Sequence, residues 1–431
     1  MASGGCGRQR RRRPLLHKRF SMLPALLLPV RNAIGPAARS ASANEAAAPW
    51  LLIAEGFHQR GGMDKANAAF AHYLVSQGIP VHLVALSIDS DIGGQPGITS
   101  IGAQFARGPR PLRKVHLARL GHAVARRLTN HCGNVRVVVN GLNCSWPDIN
   151  WVHWLHQCWR TPVFNAPLWF RFKHRVETTR ASHKERTAFR SAKLLLANSE
   201  RTRRGLLNLL GVSPERAHTV YLGSDQTWRE LTPERRAASR AWLGVATGRT
   251  LVAFIGALGY DSRKGFDTLW RAWADLCRLP EWDADLVVAG SGRALPRWRR
   301  EAAKSGLDER TRFLGFTERV ADVLAAADLL VSPARYESYG LNVQEAICCG
   351  IPAIVSASAG VAERYPLDLS PLLLPNHEDA YDLARRMLQW RRTKTVWNER
   401  LEPTVRMLRS YTWDDMGRRI VELAEASGVD R

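Results

Sequence analysis

The chain has 431 residues, 45% of them apolar, enough for two domains of ordinary size and a large buried core. Its seven cysteines are scattered and form no C-x-x-C pair, which argues against a disulfide framework or a zinc site and favours a reducing compartment. No apolar run approaches the ~20 residues that a spanning helix requires, and the formal net charge of +23 invites an anionic partner.

Residues 1–48 read as a separate extension. They hold nine Lys and Arg against the single acid Glu45, including the run Arg10-Arg11-Arg12-Arg13. Such a segment suits a disordered basic tail or a targeting peptide, which is Arg- and Ser-rich and poor in acids. Order is expected from Trp50. WLLIAEGF reads as a strand, HQRGGMD as a loop with the adjacent glycines Gly61 and Gly62, DKANAAFAHYLVSQG as a helix and IPVHLVAL as a strand. Ile92 to Pro147 carries no acid at all but eight Arg and Lys, among them Arg110, Arg113, Lys114, Arg119, Arg126 and Arg127. A second basic run spans Arg160 to Arg204. These runs fit an anionic membrane surface or a lipid-linked acceptor, with nucleic acid a weaker partner and a solvated basic face the plain alternative. Further strands are expected at Val135–Val139, Trp151–Leu155, Lys193–Ala197 and Thr219–Leu222.

Residues 227–248 are charged and lack strand character, so the junction is placed there. The alternation then repeats. Strands are expected at Leu251–Ile255, Asp285–Ala289, Arg312–Leu314, Leu329–Val331 and Ala353–Val355, with helices between them and an amphipathic helix at Thr412–Ala426. Two runs of β/α alternation imply an α/β protein with two Rossmann-like, doubly wound domains facing a cleft. Ligands in such sheets sit at the carboxyl ends of the strands. The expected boundaries are 49–226 for the first domain, 227–248 for the linker, 249–400 for the second domain and 401–431 for a C-terminal helix.

The stretch from Asp328 to Glu363 carries the most chemistry. A strand leads to a polar loop with Glu337, a helix begins near Gly340 and carries Glu345, and Gly350-Ile351-Pro352 opens the next strand. The helix start attracts phosphate, and carboxylates accept hydrogen bonds from hydroxyls. Eight residues on one helix would span about 12 Å, too far for a glycosidase pair about 5 Å apart and better suited to two contacts on one extended ligand. Ser262-Arg263-Lys264-Gly265-Phe266-Asp267 places two cations before a helix, where they can neutralise a diphosphate. Gly256 and the pair Gly290 and Gly292 end strands, where glycine admits either a close ligand or a plain turn. In Trp151-Val152-His153-Trp154-Leu155-His156, a histidine at a strand end can hydrogen-bond a sugar. His153 and His156 both qualify; a core imidazole or an H-x-x-H metal pair are the alternatives, and no third ligand stands nearby.

Glu337 and Glu345, with Ser338-Tyr339-Gly340-Leu341, Ala346 and Gly350-Ile351-Pro352 around them, resemble the E-x7-E signature of the retaining glycosyltransferases of family 4. The resemblance runs from about Trp50 to Ala426 and implies the GT-B fold, with the final helix packing back on the first domain. It implies a retaining, metal-independent hexosyl transfer from a UDP- or GDP-sugar to a glycan or lipid-linked hydroxyl, with no further cofactor. His153 would orient the sugar, Lys264 and Arg263 would stabilise the leaving diphosphate, Glu337 would touch the donor sugar and Glu345 the ribose. Gly61, Gly62, Gly256, Gly290, Gly292, Gly340, Leu341 and Asn342 would line the donor, and the Phe313–Phe316 segment would line the base. One departure is Ala257, where the family often has Arg. A cytoplasmic protein, peripheral at the inner face of a membrane, is expected. The alternatives are a basic membrane- or nucleic-acid-docking protein with a degenerate site, or an epimerase or hydrolase of the same fold.

Overall fold

The computed structural model describes Met1 and residues 48–102, 108–159, 166–225 and 231–429; the basic extension expected at 1–48 lies almost wholly outside them. The first half builds a seven-stranded sheet of order β3-β2-β1-β4-β5-β6-β7. Its strands are β1 (Trp50–Phe57), β2 (Val81–Ile88), β3 (Ile98–Ile101), β4 (Arg136–Asn140), β5 (Ile149–Val152), β6 (Leu194–Ala197) and β7 (Ala217–Thr219). Its longer helices are α1 (Gly62–Ser76), α2 (Arg110–Cys132), α3 (Leu168–Ser191) and α4 (Glu200–Leu210). All pairings are parallel. Parallel strands covered on both faces carry unbroken apolar runs, and Leu194-Leu195-Leu196-Ala197 is buried at every position.

The second half opens with α5 (Pro233–Leu243) and forms a six-stranded parallel sheet of order β10-β9-β8-β11-β12-β13. The strands are β8 (Thr250–Ile255), β9 (Ala284–Ala289), β10 (Thr311–Gly315), β11 (Leu329–Ser332), β12 (Ala353–Ser356) and β13 (Leu373–Leu374). Between and after them lie α6 (Phe266–Leu276), α7 (Leu295–Lys304), α8 (Val320–Ala326), α9 (Leu341–Cys348), α10 (Ala380–Arg392), α11 (Lys394–Ser410) and α12 (Trp413–Ala426). The periodicity of FDTLWRAWADL explains α6: Phe266, Leu269, Trp270 and Trp273 recur at three- and four-residue spacing and are all buried.

The structure departs from the sequence reading in several places, among them β5, which lies ahead of the expected Trp151–Leu155, and α11, which runs across the expected boundary at 400/401. β7 lies two residues earlier than the expected Thr219–Leu222, because the pairing with β6 runs from Leu195–Ala217 to Ala197–Thr219. Within the expected linker, the described residues 231–248 include α5. Thr232 caps α5 by accepting a hydrogen bond from the Arg235 amide, and Arg236 and Arg240 reach the buried Asp328 at 2.8 and 3.5 Å. That carboxylate, which Lys394 also meets at 2.6 Å, ties α5 and α11 to the start of β11. Its pKa stays below the usual value because Lys394, the Leu251 amide and Arg236 outweigh the cost of burial.

The chain ends by crossing back. Thr412 and Asp415 form a capping box that starts α12. Gly417 on α12 faces Tyr73 of α1 so closely that a Cβ there would overlap the ring. Both sheets point the carboxyl ends of their strands at one crevice, and in each the strand order reverses there, between β1 and β4 and between β8 and β11.

Candidate active site between the two sheets

The wall from the second sheet is built around β8 and β11. After β8 the loop turns at Ser262, whose φ of 47° lies in the left-handed region. Such a residue persists only where its surroundings hold it, and here Arg335 does so. Its guanidinium donates to the Ser262 carbonyl at 2.7 Å, and its backbone amide donates to the Arg263 carbonyl at 2.9 Å. Asp267 and Glu378 each grip the same guanidinium with both oxygens, at 2.6–2.8 Å. Arg335 thereby fixes the backbone that presents Lys264.

Lys264 pairs with Glu337, which follows β11. Burial works to raise the Glu337 pKa, but Lys264 and Arg263 outweigh it and hold the carboxyl below its ordinary value. Gly340 has φ 109°, which a side chain would strain, and its carbonyl accepts the amides of Val343 and Gln344. The amides of Leu341 and Asn342 at the start of α9 have no acceptor within the helix. Asn342 uses its side chain to bond the Ile255 carbonyl at 3.0 Å, pinning α9 to the end of β8.

Glu345 lies one turn further on and faces the other half. Lys65 on α1 donates to it at 3.0 Å and also meets Asp225 at 2.5 Å. Burial raises the Glu345 carboxyl above its ordinary value in spite of Lys65. Burial opposes the charge on Lys65, yet Glu345 and Asp225 lift its pKa overall. The two glutamates thus serve different cations on different elements.

The wall from the first sheet meets this one directly. Gly62 lies against Leu341, where an added Cβ would sit 3.3 Å from the leucine Cβ. Buried Asn67 bonds the Gly56 carbonyl and accepts from Asn140, fixing α1 to the ends of β1 and β4. The Leu155 amide donates to the Tyr336 hydroxyl at 2.9 Å, and Arg263 lies 4.8 Å from the centre of the Trp154 ring. Ser199, whose hydroxyl accepts the Thr202 amide and so caps α4, also donates to the Ser338 carbonyl at 2.7 Å.

The two candidate histidines differ in their surroundings. His156 is bound at Nδ1, 2.5 Å from the fully buried Glu185, which also accepts its amide, and so anchors a helical turn. His153 is 8% exposed and its buried Nε2 has no partner. Burial pushes its pKa down to about 3, so the imidazole is neutral at physiological pH. Between its ordinary 6.5 and about 3 the unfolded chain takes up a proton that the folded chain refuses, so this residue costs stability as pH falls through that window. His153→Gln removes the effect. In urea titrations the variant should gain about 2 kcal/mol on wild type between pH 7 and pH 5; a difference that does not change with pH would refute the assignment.

Gly256 packs on the Lys264 side chain, and a side chain at Gly290 or Gly292 would overlap the carbonyl of Gly256 or Leu258. Phe316, 64% exposed, directly follows β10. Among the described residues no group of three His, Cys, Asp or Glu converges on a metal-sized point, and no helix is long and apolar enough to cross a membrane. The sequence reading missed Lys65, Asp225 and Arg335 as parts of the site. A lysine in the first turn of a helix opposes the dipole, and that was the available signal for Lys65.

Residues 60–228 match the family described as Glycosyltransferase Family 4, and residues 249–392 match Glycosyl transferases group 1. The chain is 35% identical over 204 residues to the D-inositol 3-phosphate glycosyltransferase of Nocardia farcinica, covering 46% of this chain and 44% of that protein. It is equally similar over 191 residues to the Mycolicibacterium gilvum enzyme of the same name, covering 43% and 41%. The chain therefore spans less than half the length of these curated relatives. Among solved structures, it is similar to sucrose-phosphate synthase from Thermosynechococcus elongatus (TM-score 0.68, 19% identity, 88% of this chain and 99% of that one). It also resembles WaaG, a glycosyltransferase involved in lipopolysaccharide biosynthesis (TM-score 0.65, 19%, 87% and 99%). With both halves matched in sequence and the whole matched in fold, the chain belongs to the family-4-type glycosyltransferases of GT-B fold.

Proposed function

We propose that this chain is a retaining glycosyltransferase that moves a sugar from a nucleoside-diphosphate sugar to a hydroxyl of a glycan or lipid-linked acceptor. The observation that carries the reading is the start of α9, flanked by Lys264–Glu337 on one side and Lys65–Glu345 on the other. Free amides and a lysine receive the diphosphate, and carboxylates receive hydroxyls. Anabaena HepE, of similar fold, is known in complex with UDP and glucose and with UDP-glucose, in keeping with a nucleotide-sugar donor.

In this reading the bond between the anomeric carbon and the diphosphate oxygen breaks while the acceptor oxygen joins the same face of the sugar. The acceptor's proton passes to the departing diphosphate oxygen, so no side-chain nucleophile is needed. Lys264, Arg263 and the α9 amides stabilise the charge that grows on the leaving group, and the reaction runs on these groups without a metal. His153, neutral and with an unbonded Nε2, orients a sugar hydroxyl beside the reacting carbon. Glu337 holds the donor sugar and Glu345 the ribose.

A calorimetric screen of UDP- and GDP-sugars, followed by turnover with and without acceptor, tests the proposal. Donor binding with acceptor-dependent transfer and retained anomeric configuration supports it; turnover without acceptor would make the protein an epimerase or hydrolase instead. Lys65 offers a finer check. Glu345 must be ionised to accept two ribose hydroxyls, and burial already lifts its pKa. Lys65→Met removes the opposing cation, so donor affinity should fall at least about tenfold and should begin to weaken at a higher pH than in wild type as the solution is acidified. An unchanged pH profile of the donor Kd would separate Glu345 from the ribose.

A further inference from the structure

We infer that the first half of the chain docks on an anionic lipid bilayer through the opening turns of α2 and α3. Leu168 is 77% exposed, Phe172 74% and Leu112 66%, and Trp169 and Val115 are exposed beside them. Single exposed apolar side chains are ordinary. Five of them concentrated on the first two turns of two helices are not, because each would gain by leaving water.

Both turns stand on the rim of the crevice. Arg110 and Lys114 of α2 reach Glu55, near the carboxyl end of β1, at 3.4 and 2.7 Å. Trp169 and Phe170 of α3 lie 5.5 Å from Arg293 and from the Tyr260 ring, on loops of the second half that follow β9 and β8. Cations surround the apolar residues. Exposed Arg171, Lys173 and Arg175 flank Phe172 on α3. On α2, which contains no acid, exposed Arg119 and Arg126 continue the face begun by Leu112 and Val115.

The chemistry selects the partner. Aromatic and cationic side chains alone would also suit a nucleic acid, whose bases stack on rings. Exposed Leu112, Val115 and Leu168 have no such use, since aliphatic tips neither stack on bases nor bond phosphates. A bilayer accepts both sets at once: the aliphatic and aromatic tips enter the headgroup boundary while the cations stay with anionic lipid. Docked this way, the crevice mouth opens at the membrane surface. The inference concerns binding alone and stands whether or not the proposed transfer is found.

The test uses the full purified chain in flotation assays with vesicles of phosphatidylcholine alone or with about a third phosphatidylglycerol. Binding is expected to be at least about tenfold tighter to the anionic vesicles and to weaken at high salt. Leu168→Ser with Phe172→Ser should lower binding about tenfold or more while leaving the thermal unfolding midpoint and heparin binding unchanged. Arg171→Gln with Arg175→Gln should lower the anionic preference and should weaken heparin binding as well. Equal binding to both vesicle types, an unaffected Leu168/Phe172 variant, or salt-sensitive binding to an oligonucleotide with none to vesicles would overturn the inference.

Discussion

Lys264→Ala is expected to lower kcat by about 10²–10³, the usual loss when one preorganised donor to a developing anion is removed. The same change leaves Glu337 buried without its partner. Burial then raises the carboxyl pKa with only Arg263 to oppose it. The sign of the stability effect follows. In wild type the depressed Glu337 pKa contributes stability that is present above about 4.5 and lost as pH falls. In the variant, with the folded pKa raised, stability declines as pH rises above about 4.5, so the protein is weakened at neutral pH by up to roughly 3–5 kcal/mol. Lys264→Ala with Glu337→Gln separates the two roles. Its urea midpoint should recover most of the loss because no charge is stranded, while turnover stays low. Recovery of turnover together with stability would show that Lys264 is a structural partner of Glu337 and nothing more.

Arg335→Met should cost about 3 kcal/mol or more. It strands Asp267 and Glu378 and frees the Ser262 carbonyl from the guanidinium, while the backbone bond from residue 335 to the Arg263 carbonyl remains. Ser262 then keeps only its backbone bonds with Gly259 and Gly265 to hold its left-handed conformation, and the Lys264 loop relaxes. A displacement of about 1 Å at a catalytic group can lower turnover roughly 10²-fold, so kcat should fall well beyond what the folded fraction explains. Arg335→Lys keeps one charge but cannot make two forks and should recover only part of either quantity. A full rescue by lysine would mean that charge alone matters and that the backbone brace does not.

Much of the fold was legible because parallel strands buried on both faces leave unbroken apolar runs, such as Leu194–Ala197 and Leu329–Val331. Glu337, Lys264 and Gly340 were legible for a different reason: they lie on loops whose position after β8 and β11 is fixed by the alternation. Lys65 and Arg335 were not. Each acts through a partner far away in sequence, Glu345 for one and Asp267 and Glu378 for the other, and a one-dimensional pattern carries no sign of which charges will meet. The functions of Gly290 and Gly292 were ambiguous for a related reason. Only the packed loops reveal that a neighbouring carbonyl takes the space a side chain would need.

The capping box at Thr412 begins a helix that belongs to the second half by chain order and to the first by packing, with Gly417 fitted to Tyr73. Any chimera that exchanges the leading half between homologues must therefore carry residues 413–426 from the same parent, or the Tyr73 socket will face a stranger. The tail is inherited with the domain it covers rather than with the one it follows.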